Sequence, residues 1–408
     1  MTPLAEVREY YREIAALYAT RGYYAAHPLN AFWAGQNMDA MRGIIESAVN
    51  DVDVVRKAHQ TYMFSVNTAD RVTDRAVQWL LEERSNRILP NSPLKGIEES
   101  AYSHPANNTT IDGKRYTPDF LRCINIAAEI RRECGKGLSV IELGGGLGHL
   151  ARVLALSWIS SRHVIIDLPE TLVFSYCFLR LNFPFKKLVL LREGEALPAG
   201  YDFAFVPTML ANQVLDRPYD LFLNTASMGE MRNEVIRKWM IFVQTKLRVK
   251  HLFMLNRFLN TINDTHAWRL EENECQQHYD ARWEILRWEL EPRWTRCPFV
   301  DTLVSRYVEI IARRTDAPVV LANGAMESLQ TEDWWRLRGN GHIMAMRDNP
   351  ICVDGTQRGT LFKLWEAMRL HPSCAVRDML LAYLERLNRN PSFWFEELPY
   401  YKGLTCTS

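Results

Sequence analysis

Val140-Ile141-Glu142-Leu143-Gly144-Gly145-Gly146-Leu147-Gly148-His149-Leu150 reads as a short apolar strand, a glycine turn and the start of a helix. Leu138, Val140, Ile141 and Leu143 suit a buried parallel strand, and Leu150, Val153, Leu154 and Trp158 recur at helical spacing in the segment that follows. The glycines therefore mark a strand-to-helix switch. There the backbone bends sharply, and a ligand can approach main-chain N–H groups at a helix N-terminus without meeting a Cβ.

A second strand, His163-Val164-Ile165-Ile166-Asp167, ends in an acid about 20 residues past the glycines. Leu168-Pro169-Glu170-Thr171 then turns the chain into a helix, with Pro169 where its missing N–H costs least. The pattern keeps alternating. A helix over 118–134 feeds the first strand, and one over 169–181 follows the second. Residues 187–191 form either an edge strand or a hairpin insert, and 201–207, 219–224 and 251–257 read as the third, fourth and fifth strands. A helix to about residue 247 precedes the fifth strand, and strands over 287–294 and 307–312 are expected to close the sheet. Alternating strands and helices imply parallel pairing and right-handed crossovers.

The 408 residues suffice for two or three domains, and a 47% hydrophobic composition supports a full core. Formal net charge is +1, and the basic runs Arg131-Arg132, Lys186-Lys187 and Arg313-Arg314 are short, so no nucleic-acid partner is expected. No apolar run approaches the ~20 residues of a membrane span, and the N-terminus lacks a basic-then-apolar signal. No membrane association is expected, and the expected location is cytoplasmic. The eight cysteines are scattered without a C-x-x-C pair and read as reduced and structural.

The glycine spacing separates two cofactor classes. A dinucleotide fingerprint starting at Gly144 needs glycine at position 149, where His149 stands. The pattern Glu142-x-Gly144-x-Gly146-x-Gly148 instead resembles the first motif of class I S-adenosylmethionine (SAM)-dependent methyltransferases. That resemblance implies an α/β fold, a class I methyltransferase Rossmann-like doubly wound sheet with helical N-terminal and C-terminal extensions. It places Glu142 under the turn near the methionine end of SAM and lets Gly144, Gly145, Gly146 and Gly148 pass close to the cofactor. Asp167 is the candidate acceptor for the ribose hydroxyls. Leu168, Val206 at the end of the third strand, and Asn224 and Thr225 at the end of the fourth complete the candidate cofactor set. The demethylated product is S-adenosylhomocysteine (SAH).

Three stretches together carry a finer resemblance: Glu142 to Gly148, Ile166 to Pro184, and Asp220-Leu-Phe-Leu-Asn-Thr-Ala-Ser-Met-Gly-Glu-Met231. They are similar to the sugar O-methyltransferase family of natural-product and polysaccharide gene clusters, over roughly residues 100–315. This implies transfer of a methyl group by in-line displacement to a hydroxyl of a small molecule, a sugar or natural-product scaffold. The alternatives are a non-sugar acceptor, such as a phenol, carboxylate or amide nitrogen, and a SAM-binding interaction protein without catalysis.

An alcohol acceptor must lose its proton, and candidates for that step stand at the carboxyl ends of the fourth and fifth strands. Asn224, Ser227 and Glu230 lie at the first, Asn256 and Arg257 at the second. Glu230 is the candidate base, with Asn256 and His278 as further catalytic candidates and His266 nearby. His149 is a poor acid, because a helix N-terminus disfavours its charged form. Asp264, Glu271, Glu272 and Glu274 supply carboxylates, but no spacing singles out a metal site, so no metal ligand is assigned.

The expected domains are a helical N-terminal subdomain (1–115), a SAM-binding catalytic domain (116–315) and a helical C-terminal appendage (316–408). Thr2 is a plausible N-cap with Pro3 first in the helix, and Val7, Tyr11, Ile14 and Tyr18 line one face. Helical spacing recurs over 41–64 and 70–83. This subdomain packs on the core, or its aromatics, among them Tyr23, Tyr24, Phe32 and Trp33, wall an acceptor pocket. The loop over 102–117 is rich in turn formers and is a candidate lid. Leu361, Leu364, Trp365 and Met368, then Val376, Met379, Leu380, Tyr383 and Leu387, give two C-terminal amphipathic helices for acceptor capping or a homodimer contact.

Overall fold

Helix α1 (Pro3–Thr20) buries Leu4, Val7, Tyr10, Tyr11, Ile14 and Tyr18, one stripe at three-to-four spacing. It belongs to a computed structural model that describes residues 3–27, 29, 33–60, 74–102, 109–257, 259–264, 267–272, 283–290 and 307–315. The short α2 (Tyr23–Ala26) follows, then α3 (Gln36–Ser47) and α4 (Asp51–His59). The described part of the helical stretch expected over 41–64, residues 41–60, thus belongs to two helices. Asn50 divides them, because its side chain accepts from the Asp53 N–H at 2.9 Å and caps α4. Helix α5 (Asp74–Arg87) lies against α6 (Pro118–Cys134). Thr117 caps α6 through the Phe120 N–H, Pro118 opens it, and Gly135 leaves it at φ 93°.

Between α5 and α6, part of the expected loop is a hairpin of β1 (Thr109–Ile111) and β2 (Lys114–Tyr116). Asp112 and Gly113 join the strands with φ of 52° and 74°, the left-handed pair that a two-residue hairpin turn uses. The rest of the candidate lid, residues 103–108, lies outside the described residues.

The chain divides into two compact units, Met1–Ser227 with Phe242–Phe253, and Met228–Ile241 with Met254–Ser408. The first holds a mostly parallel, Rossmann-like sheet with flanking helices. Its strands are β3 (Leu138–Leu143), β4 (Ser160–Asp167), β5 (Leu188–Leu190), β6 (Phe203–Pro207), β7 (Tyr219–Thr225) and the first part of β8 (Val249–Arg257). Their order is β8–β7–β3–β4–β6–β5. Residues 187–191 thus supply a parallel edge strand, Leu188 aligned with Phe203. Helix α7 (His149–Leu156) crosses from β3 to β4, and α8 (Pro169–Asn182) follows β4. Trp158, expected on the buried face of α7, lies past its end at φ 59° and is 76% exposed.

In the second unit, β11 (Trp283–Leu290) and β12 (Tyr307–Arg314) are antiparallel, in the order β11–β12–β8, and β9 (Leu259–Asp264) pairs with β10 (Ala267–Glu272). The first closing strand lies N-terminal of the expected 287–294, because Trp283 and Ile285 start the ladder opposite Arg314 and Ala312. Helix α9 (Asn233–Thr245) precedes β8. The C-terminal amphipathic helices fall beyond residue 315, outside the described residues. Among the described residues no helix is long and apolar enough to cross a membrane.

Candidate functional site

From β3 the chain moves outward through β4 to the edge strand β5, steps back to β6, then returns to lay β7 on the other side of β3. That reversal is a topological switch point. Open α/β sheets bind ligands in the crevice beyond the carboxyl ends of such strands. Here β3 and β7 end in Gly144-Gly145-Gly146 and in Thr225-Ala226-Ser227.

The two strand ends are stitched together. Asn224, fully buried, donates through Nδ2 to the Leu143 carbonyl at 2.7 Å and to Ser227 Oγ at 2.6 Å. Ser227 Oγ in turn donates to Leu143 O at 3.0 Å. Ala226 takes φ 69°, a left-handed turn that brings Ser227 back over the glycines. A Cβ on Gly144 would stand 2.1 Å from Ser227 Oγ. Glycine at 144 is therefore required by the chain's own packing, and its φ of 74° requires it again.

Glu142 points into the same layer as His163 of β4. Its Oε2 accepts from His163 Nε2 at 2.9 Å, and the two side chains are 1% and 0% exposed. His163 Nδ1 is buried with no hydrogen-bond partner among the described residues. The carboxylate also lies under the turn, 3.2 Å from where a Gly145 Cβ would be. Sequence reading missed His163 as a partner, since only the offset of β4 against β3 reveals it.

Asp167 ends β4 at the lip of the crevice and is 8% exposed. Its Oδ2 accepts from the Gly146 N–H at 3.1 Å and its Oδ1 from the Leu168 N–H at 2.7 Å. A carboxylate is an acceptor of the kind that hydroxyl donors of a vicinal diol require. Leu168 precedes α8, Val206 is fully buried one residue from the end of β6, and Thr225 is half-buried at the end of β7. Gly148 caps α7 in the left-handed region at φ 90°.

His149 opens α7 and meets His59 of α4. Its Nε2 lies 3.1 Å from His59 Nε2, with Phe178 packed against the ring. His59 Nδ1 lies 2.8 Å from the Val55 carbonyl, an acceptor only, so this nitrogen carries a proton. The neutral pair then has His149 Nε2 donating to His59 Nε2. Burial first, then the neighbouring His59 and Arg152, hold the His149 pKa well below its ordinary value.

In the second unit, Asn256 is 1% exposed and its Oδ1 accepts from the Gly229 N–H at 3.0 Å, which fixes the 3₁₀ turn Ser227–Glu230. Glu230 is half-buried at the end of that turn. His278, His266, Glu274 and the side chains of Arg257, Asp264, Glu271 and Glu272 lie outside the described residues. Among the described residues no three His, Cys, Asp or Glu side chains group as a metal site.

A scan against protein-family models and a search of curated proteins find no match. Similar solved structures include magnesium protoporphyrin IX methyltransferase from Synechocystis PCC 6803 with bound SAH, at 12% identity over 48% of this chain and 83% of that one, with a TM-score of 0.35. A second is 1,6-didemethyltoxoflavin-N1-methyltransferase from Burkholderia thailandensis, at 17% identity over 47% and 76%, with a TM-score of 0.32. A third is the ribosomal protein L11 methylase from Lactobacillus delbrueckii subsp. bulgaricus, at 15% identity over 51% and 88%, with a TM-score of 0.32. The fold stated above rests on the chain's own strand order and crossovers.

Proposed function

We propose that the protein is a SAM-dependent O-methyltransferase acting on a hydroxyl of a small molecule, a sugar or natural-product scaffold, in the cytoplasm. The observation that carries this reading is the Asp167 carboxylate, held by the Gly146 and Leu168 N–H groups at the end of β4, beside the glycine turn. A ribose diol fits that acceptor. When bound, SAM supplies a methyl group on a sulfonium for in-line displacement by the acceptor oxygen.

The chain's residues then divide the work. Asp167 orients the nucleoside end by accepting from the ribose hydroxyls. Glu142, fixed by His163, puts negative charge under the turn near the cationic end of the cofactor. Asn224, too buried to meet an acceptor as placed, acts as a positioning residue that holds the end of β7 on Leu143. Asn256 is likewise a positioning residue, holding the turn that carries Glu230. Glu230 takes the acceptor proton. Holding the reactants in line lowers the barrier by as much as about 7–11 kcal/mol, and a placed base adds roughly 10²–10⁴-fold. The division into N-terminal helical (1–115), catalytic (116–315) and C-terminal helical (316–408) parts belongs to this proposal.

The first test is calorimetric titration of SAM and SAH into the wild type and Asp167→Ala. Micromolar binding that weakens at least about tenfold in the variant is expected, in line with the ~1.5–3 kcal/mol of hydrogen bonds to a charged group. No binding to the wild type, or equal binding to both, would overturn the reading. Glu230→Gln should keep SAH affinity and lose at least about tenfold in turnover across a panel of hydroxylated acceptors. Unchanged turnover removes Glu230 from the chemistry, and a strict preference for carboxylates removes the O-methylation of hydroxyls.

A further inference from the structure

The N-terminal helices are fastened to the two chain segments that flank Asp167. Strand β6 ends opposite it, with Pro207 in register with Asp167. The next residue, Thr208, meets Tyr18, whose Oη lies 2.8 Å from Thr208 Oγ1 and accepts from the Met209 N–H at 2.9 Å. On the other flank stands Glu170, just inside α8 and 1% exposed. Its Oε2 accepts from Tyr24 Oη at 3.1 Å, and its Oε1 from Arg42 Nη2 at 3.1 Å and Nε at 3.2 Å. Tyr18, Tyr23 and Tyr24 thereby converge, with ring centroids 4.5–6.0 Å apart, and His27 stacks on Tyr23 at 4.4 Å.

Core packing accounts for Tyr18, which is 1% exposed. It does not account for Tyr23 and Tyr24, which stay half-exposed. The Tyr24 hydroxyl is already engaged by Glu170, and burial together with the Glu170 charge keeps it protonated as a donor. What the two residues share is part-exposed aromatic ring surface, on helices fastened to the segments that flank the strand-end carboxylate.

We propose that Tyr23 and Tyr24 form an aromatic wall of the nucleoside subsite next to Asp167, so that α1 and α2 are part of the cofactor site. This rests on the SAM reading above and adds the residues that meet the purine. Recognition here is by stacking on a planar base, which every purine offers, and alanine-scale losses for such contacts correspond to about 5- to 150-fold in affinity. The arrangement also makes a prediction specific to stacking: the rings matter and the hydroxyls do not.

The test titrates SAH and adenosine into the full-length wild type, Tyr23→Leu, Tyr24→Leu, Tyr23→Phe and Tyr24→Phe. Expected are losses of about tenfold or more for both ligands in each leucine variant, with both phenylalanine variants within about threefold of wild type. Leucine variants that bind like the wild type overturn the proposal while leaving the SAM reading intact. A wild type that binds neither ligand overturns both. Photolabelling of the wild type with an 8-azidoadenosyl analogue of SAH needs no variant. Label on Tyr23, Tyr24 or His27, within tryptic residues 22–42, supports the wall, and label found only elsewhere overturns it.

Discussion

Gly144 meets three demands at once. Its N–H donates to Ile166 O at 2.8 Å, its φ is 74°, and the space a Cβ would take is filled by Ser227. Gly144→Ala should therefore cost about 1–3 kcal/mol for the left-handed backbone alone, with the displacement of Ser227 added. Urea unfolding measures this directly. A loss below about 0.5 kcal/mol would mean that the turn relaxes freely and that Ser227 does not fix it. The glycines were legible in the sequence as a turn with room for a ligand, but the nearer cause was not, because Ser227 reaches Gly144 only through the pairing of β3 with β7. The same limit hid His163: nothing in Glu142-Leu143-Gly144 names a buried imidazole on the neighbouring strand.

Elements whose ends carry their own chemistry were legible, and α6 is the plainest case. A threonine cap, a first-turn proline and a terminal glycine bracket Pro118–Cys134. The break at Asn50 and the hairpin at Asp112-Gly113 obey the same rules, yet there the turn signal lies inside longer polar or amphipathic stretches that mask it. Contacts between elements follow no such local rule. The pair His59 and His149 links α4 to α7, the first ring buried and the second half-buried, both against Phe178. Because the folded state holds the His149 pKa low, both states are neutral above its ordinary value of about 6.5 and the group then has no effect on stability. Below that pH the unfolded chain takes up a proton that the folded imidazole refuses, so stability falls, by up to about 1.4 kcal/mol per pH unit, until the folded pKa is reached. Urea midpoints of wild type and His149→Leu at pH 7.5 and 5.5 test this. The wild type should lose about 1 kcal/mol more than the variant over that interval, and equal losses would show that the pair is readily hydrated and protonated when folded.

At the scale of the molecule, α8 decides how the N-terminal segment is to be understood. Every residue from Pro169 to Leu179 is buried, on all sides of the helix. A helix buried on all sides must be covered on both its faces. One side meets β4 and β6, and α1, α3 and α4 lie against the rest. Among the residues these helices bury are Val7, Tyr10, Ile14, Tyr18, Met41, Ile45, Val54 and Val55. Each such side chain contributes roughly 1.5–3 kcal/mol, so a handful equals the roughly 5–15 kcal/mol that keeps a domain folded. Removing the cover would also leave Glu170 without Tyr24 and Arg42. A chain lacking residues 1–60 should therefore lose its cooperative heat transition and bind a dye that reports exposed apolar surface. Those helices are then part of the core that folds around the glycine turn. If the shortened chain instead melted cooperatively within a few degrees of the full one, α8 would have to be stable with one bare face, and the N-terminal helices would be a detachable cover.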